Sequence, residues 1–228
     1  MLRPRIIPCL LVKDKGLVKT VHFKDPKYVG DPINAVRIFN EKEVDELMIL
    51  DIDATAEGRE PDYKMIEHWA SECRMPLCYG GGIKTVDQAR RIFSLGVEKV
   101  ALSSAALLNP SLVKEISESV GSQSVVVVID VKKKLFGGYE MAIMNGKKSV
   151  NKNLFSFISE MESQGVGEII INNIDLDGTM KGYDLNLADK VRECTSLPLT
   201  VLGGAGTLED IGTLIQKFKI IGAAAGSL

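Results

Sequence analysis

Continuous apolar runs alternate with helix-like segments along the chain. Continuous runs, unlike strict alternation, are typical of strands that helices cover on both faces. Eight runs are predicted as strands: residues 5–12, 46–52, 76–79, 99–103, 124–130, 168–173, 198–202 and 220–225. Seven segments between them are predicted as helices: residues 32–40, 63–71, 86–95, 111–119, 154–164, 186–194 and 208–217.

The two halves of the chain resemble each other at one constant shift. Gly81 and Gly82 correspond to Gly203 and Gly204, and residues 46–53 correspond to residues 168–175 at the same shift. Together with eight strands, this repeat predicts an α/β fold, a (β/α)₈ TIM barrel of two similar half-barrels in one domain over residues 1–228. The alternative, an open doubly wound sheet, does not predict such a repeat.

Two stretches depart from this rhythm. Residues 132–150 are rich in lysine, glycine and polar residues, and we predict a hairpin or loop above the fifth strand. The sequence ends at Leu228, directly after the eighth predicted strand, so the eighth helix of a barrel is absent from it. Either a closing segment lies outside this sequence or a neighbour covers the last strand.

The composition narrows the function by exclusion. The formal net charge of -2 gives no electrostatic basis for binding nucleic acid or an anionic membrane. No stretch approaches the ~20 apolar residues that span a bilayer, and the apolar N-terminal segment is too short for a signal peptide, so we predict a cytoplasmic protein. Four cysteines without a CxxC pair and two histidines predict no disulfide, no metal site and no cofactor.

Chemistry in a (β/α)₈ barrel is located at the carboxyl ends of the strands. Asp51, Asp130 and Asp177 are predicted there, and carboxylates suit general acid–base work. Asp130 is the strongest candidate because it ends the apolar run VVVVID with nothing else polar beside it; the structural alternative is an aspartate that caps a loop. Lys19, predicted in the loop after the first strand, is a candidate cation for a phosphate, although it could equally be a solvated lysine.

Small residues at the same end form two groups that the repeat relates. The first group is Gly82, Ser103 and Ser104, and the second is Gly178, Gly204, Gly226 and Ser227. Glycine lets a phosphate approach backbone N–H groups, and serine supplies hydroxyl donors. The alternative is a pair of tight turns, but two related groups favour two phosphate sites and a long ligand with a phosphate at each end.

Charged residues mark the opposite end of the predicted barrel. Arg5, Glu46, Lys99 and Glu168 each lie at the start of a predicted strand. They could form a salt-bridge cluster that closes the base of the barrel. Because such a cluster costs desolvation free energy, a polar gate to the interior is the more specific hypothesis.

The sequence resembles the HisF family, the cyclase subunit of imidazole glycerol phosphate synthase, over essentially its whole length. The motifs that carry the resemblance are RIIPCL (5–10), VKD (12–14), LDID (50–53), GGGI (80–83), VVVVID (125–130), DGTMKGYD (177–184) and GGAG (203–206). The resemblance implies a barrel docked at its N-terminal face to a glutamine amidotransferase, with ammonia passing through the barrel to a phosphate-bearing substrate. It also implies that the four charged residues are the ammonia gate and that the Gly/Ser groups bind phosphate.

One position departs from the family pattern. The family's catalytic pair is an aspartate after the first strand and one after the fifth; Asp130 is the second, but Leu11 occupies the position of the first. Leucine cannot transfer a proton. The pattern resembles a divergent branch of the family that is linked to the amidation of surface-polysaccharide sugars.

Three hypotheses follow for the function. The first is an ammonia-conducting subunit of an amidotransferase pair that acts in sugar amidation. The second is a genuine imidazole glycerol phosphate cyclase that tolerates Leu11, and the third is a non-catalytic scaffold that activates a glutaminase.

Overall fold

The computed structural model describes residues 3–135 and 137–226, which form twelve strands and eight α-helices. The strands are β1 (Arg5–Lys13), β2 (Gly16–Val21), β3 (Lys24–Gly30), β4 (Leu47–Asp51), β5 (Leu77–Gly80), β6 (Lys99–Leu102), β7 (Val125–Lys133), β8 (Tyr139–Ile143), β9 (Lys148–Val150), β10 (Glu168–Asn173), β11 (Leu199–Leu202) and β12 (Gly222–Ala225). The helices are α1 (Pro32–Glu41), α2 (Tyr63–Glu72), α3 (Val86–Ser94), α4 (Ser104–Leu108), α5 (Pro110–Val120), α6 (Leu154–Ser163), α7 (Leu185–Cys194) and α8 (Leu208–Phe218).

Eight parallel strands close into a barrel. Their order around the barrel is β1, β4, β5, β6, β7, β10, β11 and β12. Parallel pairing of β12 with β1 and of β7 with β10 completes the circle. The predicted (β/α)₈ barrel is therefore confirmed, and each predicted strand overlaps one of these eight.

The sequence repeat also appears at the helix starts. Thr85 caps α3 by accepting a hydrogen bond from the Gln88 backbone N–H, and Thr207 caps α8 in the same way through Asp210. Each side chain satisfies one of the N–H groups that a helix leaves unpaired at its first turn. Corresponding residues in the two halves thus make the same turn from a glycine pair into a helix.

Three elements were not predicted: the strands β2 and β3 and the short helix α4. Strands β2 and β3 form an antiparallel hairpin after β1, so the prediction that Lys19 lies in a loop is wrong. Val18 and Thr20 are buried while Lys19 is exposed, as expected for alternate faces of a strand. The short helix α4 was missed because its sequence, SAALL, continues the apolar run of β6 without a break.

A hairpin or loop was predicted for the polar stretch 132–150, and its described residues, 132–135 and 137–150, include antiparallel strands. β7 extends beyond the barrel to Lys133, and β8 and β9 then pair antiparallel. The tip of this hairpin lies over the carboxyl end of the barrel, where the Met144 backbone N–H donates to Ser104 Oγ at 3.1 Å.

The last barrel strand is well covered within the described residues. Ala223, on the outer face of β12, is 0% exposed, and α8 contacts that strand. Because alanine has a small side chain, the neighbouring elements suffice to bury it. None of the described residues after β12 forms a helix.

Side chains that point into the barrel form layers. The middle layers are apolar and consist of Ile7, Cys9, Met48, Cys78, Ala101, Val126, Val128, Ile170, Leu202 and Ala224, with Leu11 and Leu50 packed against them. A second, larger apolar core lies between the strands and the surrounding helices. No helix in the described part of the chain is both long and apolar enough to cross a membrane.

At the carboxyl end of the barrel, the loop that holds Gly204 passes very close to the loop that holds Gly182. Gly204 has a φ of +103°, and a Cβ there would lie 2.1 Å from the backbone oxygen of Gly182. We expect Gly204→Ala to lower the free energy of unfolding by about 1–3 kcal/mol, measured by urea denaturation. The control is Gly212→Ala in α8, where a Cβ meets nothing within 4 Å. That change should raise stability by up to ~1 kcal/mol, and equal effects of the two substitutions would contradict this account.

Candidate active site at the carboxyl ends of the barrel strands

One large cavity opens at the carboxyl ends of the strands, and we call it the mouth cavity. It encloses about 1230 Å³, including the part that is open to solvent. The predicted residues that line it are Leu11, Asp51, Gly82, Ser103, Ser104, Asp130, Asp177, Gly178, Gly204 and Gly226. Both Gly/Ser groups thus border the same space.

Two predicted residues are not among those lining the mouth cavity. Lys19 lies in β2 and is exposed, whereas its neighbour Thr20 lines the cavity. Since successive side chains of a strand point to opposite faces, Lys19 points away from the cavity. Ser227, predicted in the second Gly/Ser group, lies outside the described residues.

Asp130 has only apolar neighbours in the sequence, but the fold brings two polar side chains to it. Ser103 Oγ donates to its Oδ2 at 3.0 Å, and Asn172 Nδ2 donates to its Oδ1 at 2.8 Å. Burial raises the pKa of Asp130 to about 6, while the two hydrogen bonds act to lower it and the charge of Asp177 adds to the rise. A carboxyl group with a pKa near neutrality is suited to accept or donate a proton.

Asp177 attaches the β2–β3 hairpin to the mouth cavity. Its Oδ2 accepts hydrogen bonds from Thr20 Oγ1 at 2.8 Å and from the Phe23 backbone N–H at 3.1 Å. Burial raises the pKa of Asp177, partly offset by these two bonds. Gly178 beside it permits the close approach, since a Cβ there would lie 2.1 Å from the Thr20 oxygen. A structural role therefore accompanies any contact of these two residues with a ligand.

Asp51 organises the loop that follows β4. Its Oδ1 accepts from the backbone N–H groups of Asp53 at 3.2 Å and Ala54 at 3.0 Å, and Arg59 lies 3.4 Å from its Oδ2. Asp51 therefore caps a loop, which was the structural alternative to a role in acid–base chemistry. The same side chain still lines the mouth cavity.

The first Gly/Ser group already makes hydrogen bonds within the protein. The Gly82 backbone N–H donates to Thr55 Oγ1 at 3.1 Å, and the two serine hydroxyls bond to Asp130 and to the Met144 N–H. An anion bound here would have to replace some of these partners. The backbone positions are nevertheless those of a βα turn, as the sequence predicted.

Leu11 occupies the position at which the resemblance to HisF implies an acid. It pairs in register with Leu50 on β4, and both side chains are half-buried at the wall of the mouth cavity. This wall is therefore apolar, and Asp130 has no carboxylate partner at position 11.

The four charged residues meet at the opposite end of the barrel, and we call them the polar ring: Arg5, Glu46, Lys99 and Glu168. Arg5 donates to Glu46 at 2.5 Å and to Glu168 at 2.5 and 3.2 Å. Lys99 Nζ donates to both oxygens of Glu46, at 2.9 and 2.8 Å, and to Glu168 at 2.9 Å. Positively and negatively charged side chains therefore alternate around a closed ring of hydrogen bonds.

In the polar ring, burial and ion pairing shift the pKa values of the charged groups in opposite directions. Burial acts to raise the pKa of Glu168, but the bonds and charges of Arg5 and Lys99, with the Thr200 hydroxyl, bring it below its usual value. Burial likewise acts against the charged form of Lys99, yet the two carboxylates raise its pKa. Glu168 and Lys99 thus stay ionised because each of them has two partners of opposite charge.

Sequence reasoning missed Asn172 and Thr200. Asn172 holds Asp130, and Thr200 contacts the polar ring. Both lie at inward-facing positions, two residues from Ile170 and Leu202 of the inner apolar layer. Counting in steps of two along each strand from those apolar residues would have identified them.

The fold and the mouth cavity define a (β/α)₈ barrel of the kind that holds an active site at the carboxyl ends of its strands. Residues 5–228 match the family described as histidine biosynthesis protein. The chain therefore belongs to this family, and it resembles the HisF subunit of imidazole glycerol phosphate synthase.

Individual relatives support this assignment over the full length of the chain. A Vibrio vulnificus protein, provisionally named imidazole glycerol phosphate synthase subunit hisF3, is 58% identical, with 100% of this chain and 88% of the relative covered. A Pseudomonas aeruginosa protein, provisionally named subunit hisF2, is 51% identical, with 100% and 91% covered. Imidazole glycerol phosphate synthase subunit HisF of Streptococcus mutans is 39% identical, also with 100% and 91% covered.

The raised pKa of Asp130 predicts a pH-dependent cost to stability. The native carboxyl titrates near 6 and the unfolded one near its ordinary 3.8, so between these pH values the native state binds more protons and loses stability as the pH rises. Asp130→Asn keeps the shape and removes the charge. It should raise the free energy of unfolding by about 1–3 kcal/mol at pH 7 and by nearly nothing below pH ~4.

Asp210 is the control of opposite sign. Backbone hydrogen bonds from Gly206 and, to a smaller extent, from Thr207 lower the pKa of Asp210. Its charged form therefore stabilises the native state, and Asp210→Asn should reduce stability at pH 7. Denaturation curves at several pH values measure both effects. A destabilised Asp130→Asn protein at pH 7 would contradict the prediction.

Proposed function

We propose that this chain is the synthase subunit of a glutamine amidotransferase pair, and that it conducts ammonia through its barrel. The observation that carries the proposal is the order of layers along the barrel axis. A charged ring closes one end, small and medium apolar side chains fill the middle, and a cavity bordered by carboxyl groups, Asp130 among them, opens at the other end.

Strand β6 illustrates the proposed route of ammonia from the polar ring to the mouth cavity. On β6 the inward side chains run from Lys99 through Ala101, and Ser103 follows directly after the strand. A neutral molecule such as ammonia crosses an apolar interior at far lower cost than an ion, whose burial without a partner is prohibitive. The apolar layers would therefore pass ammonia and exclude ammonium.

The glutaminase partner is proposed to dock over the polar ring. Ammonia released there would enter the barrel without first passing into bulk water. Relatives that carry the name of a synthase subunit support a two-component arrangement. The mouth cavity would then deliver ammonia to a phosphate-bearing substrate or to a sugar-amidating partner.

Leu11 leads us to propose that cyclisation is weak in this protein. Removing one member of an acid–base pair costs roughly 10²–10⁴-fold in rate. Asp130, held by Ser103 and Asn172, would remain as the single acid or base. The Gly/Ser groups are proposed to bind phosphate at both sides of the mouth cavity.

A genuine cyclase is the second candidate. The names of the relatives and the raised pKa of Asp130 favour it. A pure scaffold for a glutaminase is the third, and it predicts that Asp130→Asn leaves product formation by the complete pathway unchanged.

Restoring the missing acid tests the role of Leu11. With the family's bisphosphate substrate and free ammonium, we expect little turnover by the unaltered protein and about 10²-fold more for Leu11→Asp. Leu50→Asp is the matched control, because it puts a carboxylate on the neighbouring strand at the paired position, and it should not gain activity. Robust cyclisation by the unaltered protein would defeat the proposal in favour of the genuine cyclase.

Narrowing the barrel tests conduction. Ala224→Leu, added to Leu11→Asp, fills the inner apolar layer at a position that does not line the mouth cavity. Turnover driven by glutamine and an added glutaminase should fall at least about tenfold, while turnover driven by free ammonium should persist, since only the first supply crosses the barrel. Equal loss from both nitrogen sources would count against conduction.

A further inference from the structure

We infer that Thr200 is a fifth member of the polar ring, a positioning residue that fixes Glu168, and that Gly222 is a glycine in order to leave room for the Thr200 hydroxyl. The inference rests on the proposed role of the polar ring as a gate. It assigns a function to two residues that carry no charge and lie on strands without any other member of the ring.

The contacts of Thr200 place its hydroxyl inside the ring. Thr200 is 0% exposed, and its Oγ1 donates to Glu168 Oε1 at 2.6 Å. Arg5 Nη2 donates to Thr200 Oγ1 at 3.3 Å. The Thr200 hydroxyl therefore bonds both to Glu168, an anion of the ring, and to Arg5, a cation of the ring.

Gly222 provides the space for this hydroxyl. It pairs in register with Thr200 on one side and with Arg5 on the other. A Cβ at this position would lie 1.9 Å from Thr200 Oγ1 and 2.8 Å from Thr200 Cβ. The glycine is not among the residues of left-handed backbone conformation, so space, not conformational freedom, accounts for it.

The two carboxylates of the ring differ because of Thr200. Glu46 accepts side-chain hydrogen bonds from Arg5 and Lys99, whereas Glu168 also has the neutral donor Thr200. A hydrogen bond to a charged group is stronger than one between neutral groups. If a cation moves aside to open the ring, Thr200 keeps Glu168 in place, so the ring closes again in the same arrangement.

A buried cysteine reports on the state of the gate. Cys78 is 0% exposed, faces the barrel interior and pairs in register with Lys99. A small thiol reagent that passes the polar ring reaches Cys78 first, whereas Cys9 lines the mouth cavity and reports entry from the other end. Half-exposed Cys73 gives the reference rate of the reagent.

The experiment measures labelling of each cysteine by methylmercury chloride, followed by mass spectrometry of the whole chain. Thr200→Val removes the hydroxyl and keeps the shape, and we expect Cys78 to react at least about tenfold faster relative to Cys73. Thr200→Ser keeps the hydroxyl and should behave as the unaltered protein. Gly222→Ala should displace the hydroxyl and accelerate labelling as Thr200→Val does, and thermal melting verifies that each variant is folded.

A second measurement does not depend on labelling. The pKa of Glu168, followed by ¹³C NMR of its carboxyl group, should rise in Thr200→Val and stay unchanged in Thr200→Ser, because the hydroxyl helps to lower it. Equal labelling rates and an equal pKa of Glu168 in the valine and serine variants would overturn the inference.

Lys99→Met separates this inference from the proposed function. This variant removes a charged member of the ring and should accelerate the labelling of Cys78. If it does so while Thr200→Val does not, the gate stands and the role of Thr200 is wrong. If Lys99→Met leaves the labelling unchanged, the ring is not a gate, and both proposals fall.

Discussion

In a closed barrel of eight parallel strands, every second side chain points into an interior that water does not fill. Such an interior must be packed layer by layer, and any polar group in it must find a partner. Here the middle layers hold small and medium apolar side chains, and polar groups are confined to the two ends. The polar ring and the mouth cavity therefore lie on one axis, joined by the barrel interior.

The polar ring shows how such an interior tolerates charge. A buried carboxylate without a partner would cost several kcal/mol, whereas alternating charges with additional hydrogen bonds offset that cost. Glu46 and Glu168 occupy equivalent positions of the two half-barrels, and the two cations lie between them. The arrangement seals the barrel end without apolar side chains, which suits a closure that must also open.

Periodicity and the repeat predicted the barrel, its eight strands and the meeting of the four charged residues. They did not predict the β2–β3 hairpin, because a short alternating strand after a continuous one has no clear boundary. The partners of Asp130 are Ser103, directly after β6, and Asn172 on β10. No local pattern shows that residues so far apart in sequence meet at Asp130. Gly222 could not be interpreted before the Thr200 side chain was seen beside it.

The account requires that the ammonia source bind at the polar ring and not at the mouth cavity. Hydrogen–deuterium exchange of the chain, with and without a glutamine amidotransferase subunit, measures this directly. We predict slower exchange in peptides around Arg5, Glu46, Lys99 and Glu168, with the loops that border the mouth cavity unchanged. Protection confined to those loops would contradict the account.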